Sequence, residues 1–314
     1  MDGCDKIMLY YVAYPSEDAA KTNILSGENT MNFNFICDTQ KCTGCGLCTK
    51  VCGTSILHVV DGVAVMEPVT EPGWEGCFRC QHCLAVCPQG AISILGKNPE
   101  DSLLPPSQDM GAMLDALMVN RRACRRFKDE NVDKETIRQM LKIVENVPNG
   151  SNKQLMEFTL IDDKEECRKF RAAAHRAMEQ LAKEGIYPGK FSRREYELME
   201  KWEILRNPGD MLFCNAPHLL MIHSPMNQGC WQVDPVIAST YFELLCASRN
   251  IGCIFMTFPL AALSKMPEIR ALLQIPEDHY LACVMGFGYP EIEYHRGVQR
   301  EGIAKIHRLT FPDL

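Results

Sequence analysis

The stretch "CTGCGLCTKVC", Cys42 to Cys52, places four thiols within eleven residues. A second stretch, "CFRCQHCLAVCP", repeats the spacing at Cys77, Cys80, Cys83 and Cys87, and Pro88 follows. Three thiolates at CxxCxxC spacing can wrap three corners of an iron–sulfur cube, and the fourth, three residues on, reaches a different metal site because the peptide turns away. The expected arrangement is crossed: Cys42, Cys45, Cys48 and Cys87 hold one [4Fe–4S] cluster, and Cys77, Cys80, Cys83 and Cys52 hold the other. A pair of zinc sites is the competing reading, but zinc needs four ligands per ion and gives no reason for a third cysteine at the same short interval, twice. Gly44 and Gly46 let the backbone approach cluster sulfides closely. His82, between Cys80 and Cys83, is not needed as a ligand, since the cysteines complete the count.

Around these runs the chain has the composition of a folded protein. It has 314 residues, 46% hydrophobic and 23% charged, enough for two domains of ordinary size. A formal net charge of -7 argues against nucleic acid or an anionic membrane surface as a partner. The N-terminus carries no signal-peptide pattern, and "IGCIFMTFPLAALS" from Ile251 is too short to span a bilayer, so it reads as core and the expected location is cytoplasmic. In a reducing compartment, seventeen cysteines speak for metal or redox chemistry rather than disulfides. The nine outside the two runs, among them Cys37, Cys124, Cys214 and Cys230, are expected to be small buried hydrophobes.

The segment 96–110, with Pro99, Pro105 and Pro106 among polar residues, has the texture of an interdomain linker. The expected domains are an extension over 1–35, a cysteine-rich domain over 36–95, this linker, and a larger domain over 111–314. In "ILHVVDGVAVM" the pair Asp61-Gly62 predicts a hairpin. "KIMLYYVAY" in the extension reads as an added strand. Beyond the linker a helix is predicted over 111–119, and one after an N-cap at Asp133 puts Ile137, Met140, Leu141 and Val144 on one face. Strands are predicted at "FTLID", "PHLLMIHS" and "YLACVMGFG", with helices near 164–184, 194–205 and 234–250. The charged block 165–206 reads either as a mobile flap over a pocket or as a solvated pair of helices.

Residues 36–95 resemble the bacterial two-cluster ferredoxins. Gly53 stands after Cys52 where that family usually has proline, so a looser loop is expected there. Such clusters carry single electrons, which the rest of the chain must use or forward.

"NRRACRRFKDENV" packs five cationic side chains into eight residues, and arginine forks suit phosphate, although such a run alone also reads as a solvated face. The run resembles the RRSxRxF opening motif of the FMN-dependent nitroreductases, which implies FMN phosphate and ribityl contacts at Arg121, Arg122 and Arg125, with backbone contact alone at Ala123, where serine is usual. "VPNGSNKQLMEF" resembles the family's PSxxNxQPWxF loop, so Asn152 and Gln154 are implied to line the flavin ring; Leu155 and Met156 replace its Pro-Trp pair. "GFGYPEIEYHRGVQRE" resembles the closing segment whose basic residues return to the phosphate, here Arg300 ahead of Arg296.

The resemblance covers about residues 111 to 304. It implies an α+β fold, a nitroreductase-like antiparallel sheet flanked by helices behind a small ferredoxin-like 2[4Fe–4S] domain, and a homodimer. It also implies an FMN-dependent iron–sulfur oxidoreductase. Electrons would pass from a low-potential donor, ferredoxin in the first instance, through two clusters to FMN, and by hydride transfer to a nitroaromatic, quinone or activated alkene. The absence of GxGxxG and GxxxxGK[ST] patterns leaves nicotinamide open as donor but makes the clusters the simpler electron source. The alternative is an electron-transfer or flavin-handling module that delivers electrons to a protein partner. No catalytic acid or base is evident; His175, Tyr187 and Tyr196 are positional guesses only.

Overall fold

The computed structural model describes residues 33–67, 76–105, 110–187, 193, 197, 210, 212–300, 302 and 304–311. The strand expected in "KIMLYYVAY" and the helix expected over 194–205 lie outside the described residues, apart from Glu197, which is helical. Two units divide the chain, one of residues 1–77 and 81–102, the other of residues 78–80 and 103–314.

The first unit is small. Strand β1 (Ile36–Cys37) pairs antiparallel with β4 (Ile92–Ser93), and β2 (Leu57–Val60) with β3 (Val63–Met66). Asp61 and Gly62, both at positive φ, make the β2–β3 turn, as the Asp-Gly pair predicts. Each cysteine run ends in one helical turn, α1 (Leu47–Val51) and α2 (His82–Val86). Cys48, Cys83, Leu57, Ala64, Leu84, Ile92 and Ile94 form its buried core, so two of the cluster-type cysteines are themselves core residues.

The second unit is built on one antiparallel sheet. Its strands β5 (Glu157–Ile161), β6 (His218–Pro225), β8 (His279–Gly288) and β7 (Gly252–Phe255) lie side by side in that order. β6 and β8, the two central strands, are buried almost throughout. Helices α4 (Lys134–Val144) and α6 (Asp234–Ala247) cover one face through Ile137, Met140, Val144, Ala238, Phe242 and Cys246. Helices α5 (Lys164–Lys183), α7 (Thr257–Leu263) and α8 (Pro267–Leu272) cover the other.

The caps explain where these helices begin. The Asp133 carboxylate accepts from the Thr136 N–H at 2.8 Å, and Asp163 accepts from the N–H groups of Glu165 at 2.9 Å and Glu166 at 3.1 Å. Cys167, Phe170, Ala174 and Met178 then recur along α5 at helical spacing and are buried, so part of the charged block is core-packed helix. No helix of the described residues is long and apolar enough to cross a membrane.

Among the scattered cysteines, Cys124, Cys167, Cys214, Cys246, Cys253 and Cys283 are buried as expected, whereas Cys230 is exposed and Cys37 half-buried. Cys230 sits in the turns before α6, against the Gly150 backbone, rather than in the sheet or a helix face, so the expectation fails there. The "IGCIFMTFPLAALS" stretch forms β7 and α7, an edge strand and the helix that follows it.

Candidate functional site

Two regions gather the residues of interest. In the first unit, Cys42, Cys45, Cys48 and Cys87 line one cavity together with Gly44, Gly46, Pro88 and Ile92. Three of these thiols come from one run and the fourth from the other. Gly44 lies at φ +65°, and a Cβ built there would meet the Gly62 carbonyl oxygen at 2.7 Å, so only glycine fits. Gly46, at φ +70°, heads α1.

The donor chemistry suits a metal–sulfur centre. Hydrogen bonding from the Gly44 backbone, chiefly, holds the Cys42 thiol below its ordinary pKa, which favours the thiolate a metal requires. Burial acts to raise the Cys52 thiol, but the Thr54 hydroxyl and the backbone at 54–56 outweigh it and the net shift is downward. Burial raises Cys48. The Ala91 N–H donates to Cys87 Sγ at 3.3 Å. The other set, Cys52, Cys77, Cys80 and Cys83, has three half-buried members and one buried, Cys83. The backbone at Cys52 (φ -76°, ψ 105°) matches that at Cys87 (φ -73°, ψ 111°), so Gly53 in place of proline does not alter the path of the chain at that cysteine.

In the second unit the arginine run follows α3 (Gly111–Asn120) and is laid along the sheet. Ala123 bridges to Cys253 of β7, and the Cys124 N–H donates to the Cys253 carbonyl at 2.9 Å. Arg121 turns inward, its Nη1 donating to Glu243 Oε1 of α6 at 2.6 Å. Arg122 donates through Nη2 to the Val119 carbonyl at 2.5 Å, while its Nε is buried without an acceptor. Arg125 is exposed and reaches the Ala123 carbonyl at 3.4 Å. An unpaired buried N–H is costly, so the run has room in its bonding for an anion.

The loop over 149–154 docks on the same helix. The Gly150 N–H donates to both oxygens of Asp234, at 3.2 and 3.1 Å, in the first turn of α6. Burial raises the Asp234 pKa, and the Gly150 bond opposes it. Ser151, Asn152 and Gln154 all hold positive φ near 52°, and Gln154 Nε2 donates to Asn152 Oδ1 at 3.1 Å. Such a run of left-handed non-glycine residues is a strained backbone held by its surroundings. Asp234 and Glu243 stand nine positions apart, so the loop and the arginine run are moored roughly 14 Å apart along α6. Neither acid was singled out from the sequence, although each interrupts an otherwise apolar helix.

The C-terminal segment also arrives here. Gly297 packs so closely on the end of α3 that a Cβ on it would lie 2.6 Å from Val119 Cγ1 and 3.2 Å from Asn120 Oδ1. Arg296 and Arg300, on either side of it, are exposed. His175 is not in this region; its Nε2 donates to Asp210 Oδ1 at 2.9 Å, and Asp210 also binds Arg171, in a buried cluster that ties α5 to the turn at 212–215. Tyr187 is half-buried against the core that lies over the α5 face, and Tyr196 lies outside the described residues.

Residues 118–289 match the model of the nitroreductase family, and residues 25–92 that of the 4Fe-4S dicluster domain. The first match spans more than half of the chain, which therefore belongs to the nitroreductase family and carries a ferredoxin-type iron–sulfur domain ahead of the family fold. The chain is similar to the iodotyrosine deiodinase of Thermotoga neapolitana, with 26% identity over 179 residues, covering 57% of this chain and 89% of that protein. Its cysteine-rich part is similar to Ferredoxin-3 of Nostoc, with 33% identity over 92 residues, covering 24% of this chain and 93% of the ferredoxin. A nitroreductase with bound FMN from Desulfitobacterium hafniense superimposes with a TM-score of 0.50 at 20% identity, covering 63% of this chain and 100% of the other, a likeness of fold.

Proposed function

We propose that this protein is an FMN-dependent oxidoreductase in which electrons from a low-potential donor, a ferredoxin, enter through two [4Fe–4S] clusters and reduce a small organic acceptor, a nitroaromatic, quinone or activated alkene. FMN and the clusters, when bound, supply two-electron and one-electron chemistry respectively, so their fusion in one chain turns a single-electron supply into a two-electron reduction. The observation that carries the reading is the joining of a four-thiol cavity, Cys42, Cys45, Cys48 and Cys87, to a nitroreductase-family unit in a single polypeptide.

The chain's own residues then have these tasks. Cys42, Cys45, Cys48 and Cys87 hold one cluster, and Cys52, Cys77, Cys80 and Cys83 the other. Arg122 and Arg125 bind the flavin phosphate, with Arg300 and Arg296 closing over it from the C-terminal segment. Arg121, held by Glu243, keeps the run in register and adds its remaining donors. Ala123 offers backbone contact only. Asn152 and Gln154 hydrogen-bond the edge of the ring from their strained loop. The two moorings on α6 set the separation between phosphate and ring contacts.

The second copy expected of the family has a surface to meet. Met113, Leu114, Met118 and Val119 of α3 are all exposed, as are Val233 and Val236 at the start of α6 and Ile306, Leu309 and Phe311 of the C-terminal segment. Apolar side chains in that number favour burial against a partner chain. The domain limits proposed are 36–95 for the ferredoxin unit, 96–110 for the linker and 111–314 for the flavin domain. The free thiols and the oxygen sensitivity of such clusters support an anaerobic cytoplasm as the proposed location.

Anaerobic purification should give about eight irons and one FMN per chain. Reduced ferredoxin should then support turnover of the small acceptors. Protein without flavin would rule the reading out, and turnover that required a protein acceptor would replace it with the electron-delivery alternative.

A further inference from the structure

On the α5 face of the sheet, three side chains that no part of this reading uses come together. His223 of β6 and His279 of β8 are 2% and 6% exposed, and their Nδ1 atoms lie 2.8 Å apart. Glu157, directly opposite His223 on β5, brings a carboxylate oxygen to 3.9 Å from His279 Nε2. One donor atom from each of the three lies within 4.8 Å of the others. We propose that His223, His279 and Glu157 form a site for one divalent transition-metal ion of the zinc class, clamping β5, β6 and β8 together where the sheet begins.

The backbone builds this convergence. The ladder between β6 and β8 slips between Ile222 and His223, so that Ile222 faces Cys283 but His223 faces Leu281. A bulge of this kind re-aims the side chains beyond it. Here it puts His223 on the same face as Leu281 and, two residues before that, His279. Without the slip the two rings would project to opposite sides.

The second layer around the rings suits a metal as well. Ligating histidines commonly donate their other ring nitrogen to an oxygen that fixes the tautomer. Thr159 Oγ1 stands 3.1 Å from His223 Nε2 and can accept in that way. In the metal-free chain one proton must lie between the two Nδ1 atoms. When an ion takes one nitrogen of each ring, the proton of each ring is carried on its other nitrogen, a change of tautomer with no net loss.

Two imidazoles and one carboxylate are a zinc donor set that leaves a fourth position to water. Glu157 is more than half exposed on its side chain, so it can swing the remaining distance. Arg270, which donates to the His279 carbonyl at 2.7 Å, is the opposing charge nearby, and the Glu157 carboxylate offsets it. Burial pushes the His223 pKa down to about 4, which keeps that ring in the neutral form a metal binds.

The test uses full-length, cluster-loaded protein, treated anaerobically with one to three equivalents of Zn2+ and desalted, with zinc per chain measured by mass spectrometry. The cluster cysteines are common to every sample, so differences between variants isolate this site. Wild type should retain about one zinc more than His279→Gln, and Glu157→Gln should hold that zinc roughly tenfold more weakly. Zn2+ should also raise the wild-type melting temperature relative to a chelator control, and raise that of Glu157→Gln less. Should His279→Gln fail to fold, the exposed Glu157→Gln decides the question. Equal zinc in wild type and Glu157→Gln across the titration, with equal thermal shifts, would overturn the proposal.

Discussion

The two units make their sites in opposite ways. The cysteine unit encodes its ligands in short-range spacing, and its backbone does the same thing twice. Gly44 and Gly46 of the first run lie at φ +65° and +70°; Arg79 and Gln81, their counterparts in the second, lie at φ +55° and +59°. Each pair leads into a five-residue helix ending at an extended cysteine. The larger unit has no such local code. Its arginine run, its 149–154 loop and its C-terminal segment are far apart in sequence and are brought near one another by α6 and the end of α3. A site made of spacing survives inspection of the sequence alone, whereas a site made of moorings does not.

The sharpest way to break this contrast is to remove ligands one at a time. If the crossed pattern holds, Cys87→Ala and Cys45→Ala should abolish the same electron-paramagnetic signal, and Cys52→Ala and Cys80→Ala the other one. Iron should fall from about eight to about four per chain in each case. Loss of one signal by Cys87→Ala together with Cys80→Ala would mean that each run ligates on its own.

Less drastic, but aimed at the long-range unit, is Glu243→Ala. It strips Arg121 of its partner within a helix interior, at a cost of about 2 kcal/mol in stability, the usual range for a hydrogen bond to a charged group. Flavin affinity should fall with it, as the run loses its mooring, and fluorescence titration of released FMN would show this. Unchanged affinity would mean that Arg121 has no part in positioning the run.

A third test separates the units by pH. His218 of β6 is fully buried and accepts from the Val132 N–H through Nε2 at 2.9 Å, which leaves its Nδ1 proton without a partner. Burial lowers its pKa from 6.5 to about 4. The folded state therefore resists a proton that the unfolded chain accepts. The His218 contribution is constant above pH 6.5, falls as pH drops from there toward 4, and levels off below. The limiting loss is about 3 kcal/mol. Thermal unfolding followed by near-ultraviolet dichroism at pH 7 and pH 5 should show the drop, and His218→Asn should lessen it, leaving the share of His223, whose pKa burial also lowers to about 4.

How much of this was legible in advance follows from the same contrast. The hairpin at Asp61-Gly62, the cap at Asp133 and the three strands rest on residues close in sequence, and their periodicity is strong. Asp234 and Glu243 gave a weaker signal, since an acid in an apolar helix has no meaning until its partner is placed. The metal-type cluster was hidden further, because Glu157, His223 and His279 meet only through strand register and one bulge. Cys230 was misjudged because composition cannot tell a cysteine in a surface turn from one in a core.

The smallest effect bears most directly on what the repeated backbone requires. Gly44 cannot be replaced without moving the Gly62 carbonyl, so Gly44→Ala should cost cluster occupancy as well as stability. A Cβ on Gly46 would meet only Thr49 Oγ1, at an ordinary 3.7 Å. Gly46→Ala should then cost only the left-handed strain, about 1 kcal/mol. The converse follows for the second run, where Gln81 already bears that strain at φ +59° in the position that heads α2. Gln81→Gly releases it and loses part of the gain to the greater freedom of glycine in the unfolded chain. The net should be a rise of no more than a few degrees in melting temperature, with iron content unchanged. A fall in iron would show that the Gln81 side chain, and not the backbone turn it sits in, helps to hold the second cluster.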